Sequence, residues 1–370
     1  MKHRYSAAAM VAALLAAACS TEVEDSVAQS TPSAPTTTYE WKLVTTWPKN
    51  LPALGTAPER LAEIVDAMSS GRLKIKVYAA GELVPPFEVF DAVSQGNAEM
   101  GHGAAYYWRG KMPMSAVFAT VPFGMTAQEM NAWLHHGGGL ELWRELYAPF
   151  GVVPLASGNS GVQMAGWFNK EINSVADIDG LKMRIPGLGG EVFQRAGGVA
   201  VSMPGSEIFT ALQTGVVDAT EWVGPYNDLA FGLQDIAKYY YYPGWHEPGA
   251  TLEAIVNTEA LATLPADLKL MLETATRAIN QDVLDEFTAR NAAALKTMVE
   301  EHGVEVRRLP DDVLERFAEL SAEVVAEAAA DDELAGRILD SYQGFLAEVR
   351  DYHAISEQAY INARDSVAID

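Results

Sequence analysis

A chain of 370 residues exceeds what one compact core serves well, so two lobes are expected. Apolar residues make up 49% and charged residues 20%, the balance of a globular protein that dissolves in water. A formal net charge of −23 excludes nucleic acid and an anionic membrane face as partners, because both reward Lys and Arg, but leaves room for a small anion in one positive cleft.

The N-terminus, "MKHRYSAAAMVAALLAAACS", is basic at Lys2 and Arg4 and then apolar from Ala7 to Ala18, too short a run to cross a bilayer. That layout predicts a secretory leader over 1–18. The small residues that close it end at Cys19, the only cysteine of the chain, and resemble the lipobox of bacterial lipoproteins, in which that Cys is acylated. A plain cleavage near Ala18, with Cys19 incidental, is the alternative. Either way no intrachain disulfide is expected. No later stretch reaches the roughly 20 apolar residues of a membrane span. Residues 19–38 are rich in Ser, Thr, Pro and acids, without periodicity, and are expected to form a flexible tether.

Ordered structure is expected from Tyr39, with "YEWKLVTTW" as a strand. Leu61, Ile64, Val65 and Met68 then share one helix face up to Gly71, and "RLKIKVYAAG" alternates like a half-buried strand. Strand, helix and strand at these lengths predict a βαβ unit with parallel pairing. "PPFEVFDAVSQGNAEMGH" (85–102) and "PGSEIFTALQTGVVDATE" (204–221) align without a gap, each reading as helix, Gly and strand. We therefore expect two related α/β lobes, mainly 39–155 and mainly 156–255. Ligands of α/β sheets sit outside the carboxyl ends of strands, which sets His102 to Tyr107 opposite Glu221 to Tyr226 across a cleft. From Pro265 to Glu301 apolar residues recur at helical spacing. A further Ala- and Glu-rich pattern runs to Ser366, with breaks expected near Gly336 and Gly344. This 256–370 segment has more apolar face than two lobes need, and is expected to pack across them or on a second chain.

In "MRIPGLGGEVF" a strand delivers Arg184 and a glycine run opens a helix whose free N–H groups favour negative charge. The guanidinium can take a carboxylate through two hydrogen bonds; a surface pairing with Asp177 or Asp179 is the bland alternative. Nucleotide binding is disfavoured, since the third Gly of G-x-G-x-x-G would fall at Val192. Asn159, Gln163, Glu221 and Glu247 supply oxygen donors of the kind that Na⁺ or Ca²⁺ takes, and the scattered His residues argue against zinc. In "GWHEPG" His246 and Glu247 could instead pair with each other. No G-x-S-x-G or H-E-x-x-H motif is present.

From Tyr39 to about Pro310 the ordered set "TTWPK", "GELVPPFEVFDAVSQGNAEMGH", "SGVQMAGWF", "LKMRIPG", "GVVDATEWVGPYND" and "YYPGWHEPG" resembles the extracytoplasmic solute-binding proteins of tripartite ATP-independent periplasmic (TRAP) transporters, of the DctP family. Within them it resembles the subgroup that binds 2-oxo acids and lactate. The resemblance implies an α/β, type II-like periplasmic-binding-protein fold with two lobes and long C-terminal helices, in the periplasm. It implies that Arg184 takes the ligand carboxylate, and that Gln163, the Glu221 carboxylate and the Trp222 carbonyl hold a Na or Ca ion, with Glu247 as a further contact. Tyr107 would touch the ligand on closure, with Tyr106 as its rival and Asn159 as a weaker contact. The implied partners are a small monocarboxylate of the pyruvate, 2-oxobutyrate or lactate kind, the TRAP membrane subunits and a second copy of the chain. Membrane attachment is expected only through Cys19. Two other readings use the same residues: a metal-assisted lyase or decarboxylase on an oxo acid, and a lipid-anchored sensor.

Overall fold

The computed structural model describes residues 37–330 and 332–367. The leader over 1–18, Cys19 and the tether as far as residue 36 lie outside the described residues. In chain order the strands are β1 (Tyr39–Thr45), β2 (Leu73–Tyr78), β3 (Met100–Gly103), β4 (Val152–Asn159), β5 (Gly166–Phe168), β6 (Lys182–Arg184), β7 (Val199–Val201), β8 (Ala219–Thr220), β9 (Tyr239–Tyr242), β10 (Thr251–Asn257) and β11 (Glu305–Arg308). Two sheets result, one of order β2-β1-β3-β10-β4 and one of order β11-β9-β5-β8-β6-β7. The α/β architecture expected from the sequence is the one observed.

The βαβ prediction holds: β1 and β2 pair in parallel, and Leu61 and Val65 of the intervening helix, Ala57–Ser69, are fully buried. Met68, on the same predicted face, is 40% exposed because it falls in the last turn, where the covered surface ends. The chain crosses between sheets three times, leaving the first after β4, returning to it at β10 and passing back to the second at β11. The expected division at 155/156 thus lies inside β4, and β10 pairs antiparallel with β3 and β4 in the first sheet.

The two aligned segments fold alike down to single hydrogen bonds. Pro85 (φ −54°, ψ 146°) and Pro204 (φ −61°, ψ 152°) lead into helical turns, and Gly96 (φ 72°) and Gly215 (φ 74°) leave them in the left-handed region. Glu99 accepts the Lys42 backbone N–H at 2.7 Å, and Asp218, its counterpart, accepts that of Lys182 at 3.1 Å. Both carboxylates therefore tie the start of one strand to a neighbouring one, β1 beside β3 and β6 beside β8.

Helix Ala266–His302 has 37 residues, about 55 Å at 1.5 Å per residue, and buries Leu268, Leu272, Ala275, Ile279, Val283 and Phe287. It packs on β4, on helix Ala57–Ser69 and on helix Pro225–Phe231, so it braces both sheets. The helical tail breaks at other places than expected. Gly336 and Gly344 lie inside helix Glu333–Ile355, where a glycine costs only about 1 kcal/mol, and the breaks fall between Ala328 and Glu333 and at Ser356. Asp332 starts the new helix by accepting the Ala335 N–H at 2.9 Å.

Candidate functional site

Arg184 ends β6 and is buried, at 1% exposure. Its Nε donates to the Met203 carbonyl at 3.2 Å, and its Nη1 donates to the Glu221 carbonyl at 3.2 Å and forms an ion pair with the Glu221 carboxylate. Nη2 is buried without a partner. Neither Asp177 nor Asp179 pairs with it: Asp177 caps the turn at Ser174 instead. The guanidinium also lies 5.3 Å from the Trp222 ring, within cation–π range.

The glycine run after Arg184 serves packing. A Cβ at Gly189 would meet His246 at 2.8 Å, one at Gly190 would meet the Ile185 carbonyl oxygen at 2.5 Å, and Gly187 faces Tyr106 at 3.3 Å with φ 66°. The helix Gly187–Arg195 can thus lie hard against β6 and the aromatic residues of the other lobe.

Glu221 and Trp222 follow β8 directly, and Asp228 fixes the turn beyond them by accepting the Val223 and Gly224 N–H groups at 3.2 and 3.1 Å. Trp222 Nε1 donates to Asn227 at 3.1 Å, and Asn227 in turn donates to the Pro52 carbonyl of the first lobe at 2.7 Å. The second Glu221 oxygen lies 3.4 Å from His246 Nε2. Gln163, in the loop between β4 and β5, donates to Glu247 at 2.7 Å and to Ser160 at 3.1 Å, which leaves its buried Oε1 without a partner. Burial and the neighbouring Glu221 charge push the Glu247 carboxyl well above the usual carboxylate range.

From the first lobe come Tyr106, Tyr107 and Trp47. Burial pushes the Tyr107 hydroxyl up to about 12, with Arg184 beside it acting the other way. Tyr106 packs edge-on against Tyr107 at 4.8 Å, and its hydroxyl is raised by burial and by Glu247. A cavity of about 230 Å³ lies between the lobes beside both tyrosines, with Arg109, Pro186 and Glu191 on its wall. Larger cavities lie elsewhere, among them one of about 420 Å³ around His135 and Arg144 and one of about 430 Å³ between Phe150 and Leu334.

The structure therefore gathers Arg184, Glu221, Trp222, Tyr106 and Tyr107, at the carboxyl ends of β6, β8 and β3, with Gln163 and Glu247 from the loops after β4 and β9. Asn159 is different, because its amide is fully engaged. It donates to the Gly249 carbonyl at 3.0 Å and Thr251 at 3.3 Å and accepts the Gly161 N–H at 2.9 Å, which clamps the crossing between lobes. His246 and Trp47 are the residues that sequence reasoning left out. His246 was legible only as the neighbour of Glu247, yet Glu221, His246 and Glu247 bring donor atoms within 4.8 Å of one another, a grouping able to hold a metal ion. Trp47 sat in "TTWPK" with nothing to give it a role, and its ring meets Trp222 at 6.2 Å across the lobes.

Chemically, this is a buried inter-lobe cleft that brings together one guanidinium, two carboxylates, an unpartnered amide oxygen and aromatic side chains. Such a cleft can enclose a small anion. Comparison with known proteins fits that chemistry: the family model for bacterial extracellular solute-binding proteins, family 7 (DctP), matches residues 43–332. The chain belongs to that family. It is an extracytoplasmic solute receptor of the TRAP type. A monocarboxylate 2-oxoacid-binding periplasmic protein from Nostoc sp. (strain PCC 7120) is 41% identical over 326 residues, 88% of this chain and 89% of the relative. A TRAP periplasmic solute binding protein from Pseudoalteromonas atlantica T6c, solved with bound sodium and pyruvate, superposes with a TM-score of 0.86 at 42% identity, covering 90% of this chain and all of that one (100%). Another, from Colwellia psychrerythraea with bound calcium and pyruvate, gives 0.85 at 40% identity, covering 88% and 99% of the two chains.

Proposed function

We propose that this DctP-family receptor captures a small 2-oxo or 2-hydroxy monocarboxylate of the pyruvate, 2-oxobutyrate or lactate kind, together with a Na⁺ or Ca²⁺ ion, and hands it to TRAP membrane subunits. The observation that carries the reading is a pair of unpartnered buried atoms, Arg184 Nη2 and Gln163 Oε1, on either side of the Glu221 and Glu247 carboxylates. The first is a free cationic donor, and the second is a free oxygen acceptor.

Charge counting supports a cation. Two buried carboxylates face one guanidinium, and an anionic ligand would add a further negative charge that a buried site must neutralise. Burial first, and the Glu221 charge second, raise the Glu247 carboxyl, and a cation beside it would oppose both. Gln163 Oε1, the Glu221 carboxylate, the Trp222 carbonyl and Glu247 would hold the ion, an oxygen set that suits Na⁺ and Ca²⁺ alike. When bound, the ion supplies a charge that the ligand's carboxylate and its adjacent oxygen can share, which separates 2-oxo and 2-hydroxy acids from simple fatty acids. Arg184 takes the carboxylate, Tyr107 adds a hydroxyl donor on closure, and the Trp222 indole forms a wall. Asn159 belongs to the frame behind the ligand.

The proposal extends to two points of assembly. Acylation at Cys19 would anchor the receptor outside the cytoplasmic membrane, and the C-terminal helices offer a surface for a second copy, with Tyr352, Ile355 and Tyr360 at 62%, 78% and 68% exposure. Replacing Arg184 by Ala tests the core of the reading. Calorimetric affinity for pyruvate is expected to fall by about 100-fold or more, as when one partner of a buried charge pair is removed. Unchanged affinity would overturn the assignment.

A further inference from the structure

His102 ends the stretch of β3 paired with β1, at the position that the internal repeat matches to Glu221 after β8. It is fully buried. Trp47 Nε1 lies 2.8 Å from its Nδ1, and the Ser157 carbonyl lies 3.1 Å from its Nε2. An indole N–H can only donate, so Nδ1 is the acceptor, and Nε2 carries the ring proton that Ser157 accepts. Burial pushes the imidazole down to about 4, which keeps it in this neutral form at ordinary pH. The ring is thus a fixed link from β4, which carries Ser157, to the loop after β1, which carries Trp47.

Trp47 is held at its backbone as well. The Ala80 N–H donates to its carbonyl at 3.0 Å, and the Thr46 N–H donates to the His102 carbonyl at 3.0 Å. The remaining freedom is that of the indole, which meets Tyr107 at 6.1 Å in its own lobe and Trp222 at 6.2 Å in the other. Trp222 in turn covers Arg184.

We infer that His102 is a positioning residue for ligand capture: its Nδ1 fixes the Trp47 indole as the first-lobe wall of the cleft. The duplicated strand end then serves the ligand directly in one lobe, through Glu221, and through an intermediary in the other. The inference rests on the ligand reading given above. Losing the acceptor leaves a buried indole N–H unpaired, which drives the ring toward another orientation.

Two variants separate the two ends of the link. His102→Asn keeps an acceptor near the Nδ1 position and loses the reach to Ser157, whereas His102→Gln keeps that reach and loses the Nδ1 acceptor. Pyruvate affinity, measured by calorimetry, is expected to fall about tenfold in His102→Gln, the scale of one buried hydrogen bond, and to stay within about threefold in His102→Asn. In a Trp47→Phe background His102→Gln is expected to add nothing, since coupled residues are not additive. The ¹⁵N-labelled Trp47 indole resonance of the ligand-free protein is expected to shift in His102→Gln and to hold in His102→Asn. Equal losses in both His102 variants, a full additional loss in the Trp47→Phe background, or an unmoved resonance would overturn the inference. Absence of pyruvate binding by the wild type would instead overturn the ligand reading, and the resonance would still decide whether His102 holds Trp47.

Discussion

Arg184 and Glu221 show how one buried pair can do two jobs. As an ion pair they satisfy each other's charge, which a buried group must have met, yet each keeps one atom outside the pair: Nη2 on the arginine, and an oxygen near His246 on the glutamate. Glu221→Gln preserves volume and removes the charge that draws the cation. Calorimetry of pyruvate binding across a series of Na⁺ and Ca²⁺ concentrations should show weaker affinity and little remaining cation dependence, while the variant still melts as one cooperative unit; an intact cation dependence would count against this role. Much of this cluster was legible in the sequence, because Arg184, Gln163, Glu221 and Glu247 stand in short motifs at strand ends. The Arg184–Glu221 pairing was not, since the residues are far apart in sequence and meet only because β6 and β8 are parallel neighbours. Asn159 illustrates the opposite case. Its residue type suited a ligand contact, but the close approach of β10 to β4 engages all of its amide.

At the scale of elements, the repeat was the most informative feature of the sequence. The glycines that punctuate it are there for conformation: a Cβ at Gly215 would meet nothing within 4 Å, so Gly215→Ala should cost only the left-handed backbone penalty, about 1 kcal/mol. Denaturant unfolding would check this, and an unchanged midpoint would contradict it. β10 is buried at all seven of its residues, as suits a central strand of either sheet. In the structure it carries Glu253, fully buried, which accepts from Trp108 and from Tyr147 at 3.3 Å and whose carboxyl is pushed up to about 8 by burial. The folded protein therefore keeps this proton up to about pH 8, whereas the unfolded chain releases it near the ordinary 4.5 of a glutamate. Between those values the unfolded state binds fewer protons, so stability falls as pH rises and levels off above about 8. Glu253→Gln removes that slope. Its melting temperature relative to wild type should be higher at pH 8.5 than at pH 5, and an equal difference at both would show that Glu253 ionises normally.

For the whole molecule, an acidic exterior surrounds one buried guanidinium, and that contrast is what the composition could not reveal. Net charge excluded polyanions as partners and said nothing of the cleft, because a site is made by a few residues at sheet ends. The lobes meet there through Trp47 on Trp222, through Asn227 on Pro52, and through Arg109, which donates to the Gly187 carbonyl at 3.1 Å. Each contact joins segments far apart in sequence, so the two lobes could be read from periodicity but their closure could not. The central claim is that capture of a 2-oxo acid is a joint act of Arg184 and a cation held opposite it. Calorimetry with pyruvate and with propionate, each in buffer with Na⁺ or Ca²⁺ and in buffer stripped of both, tests it most directly. Tight one-to-one binding of pyruvate is expected only when a cation is present, and weak binding of propionate throughout. Equal binding of the two acids, unaffected by removal of the cations, would contradict it.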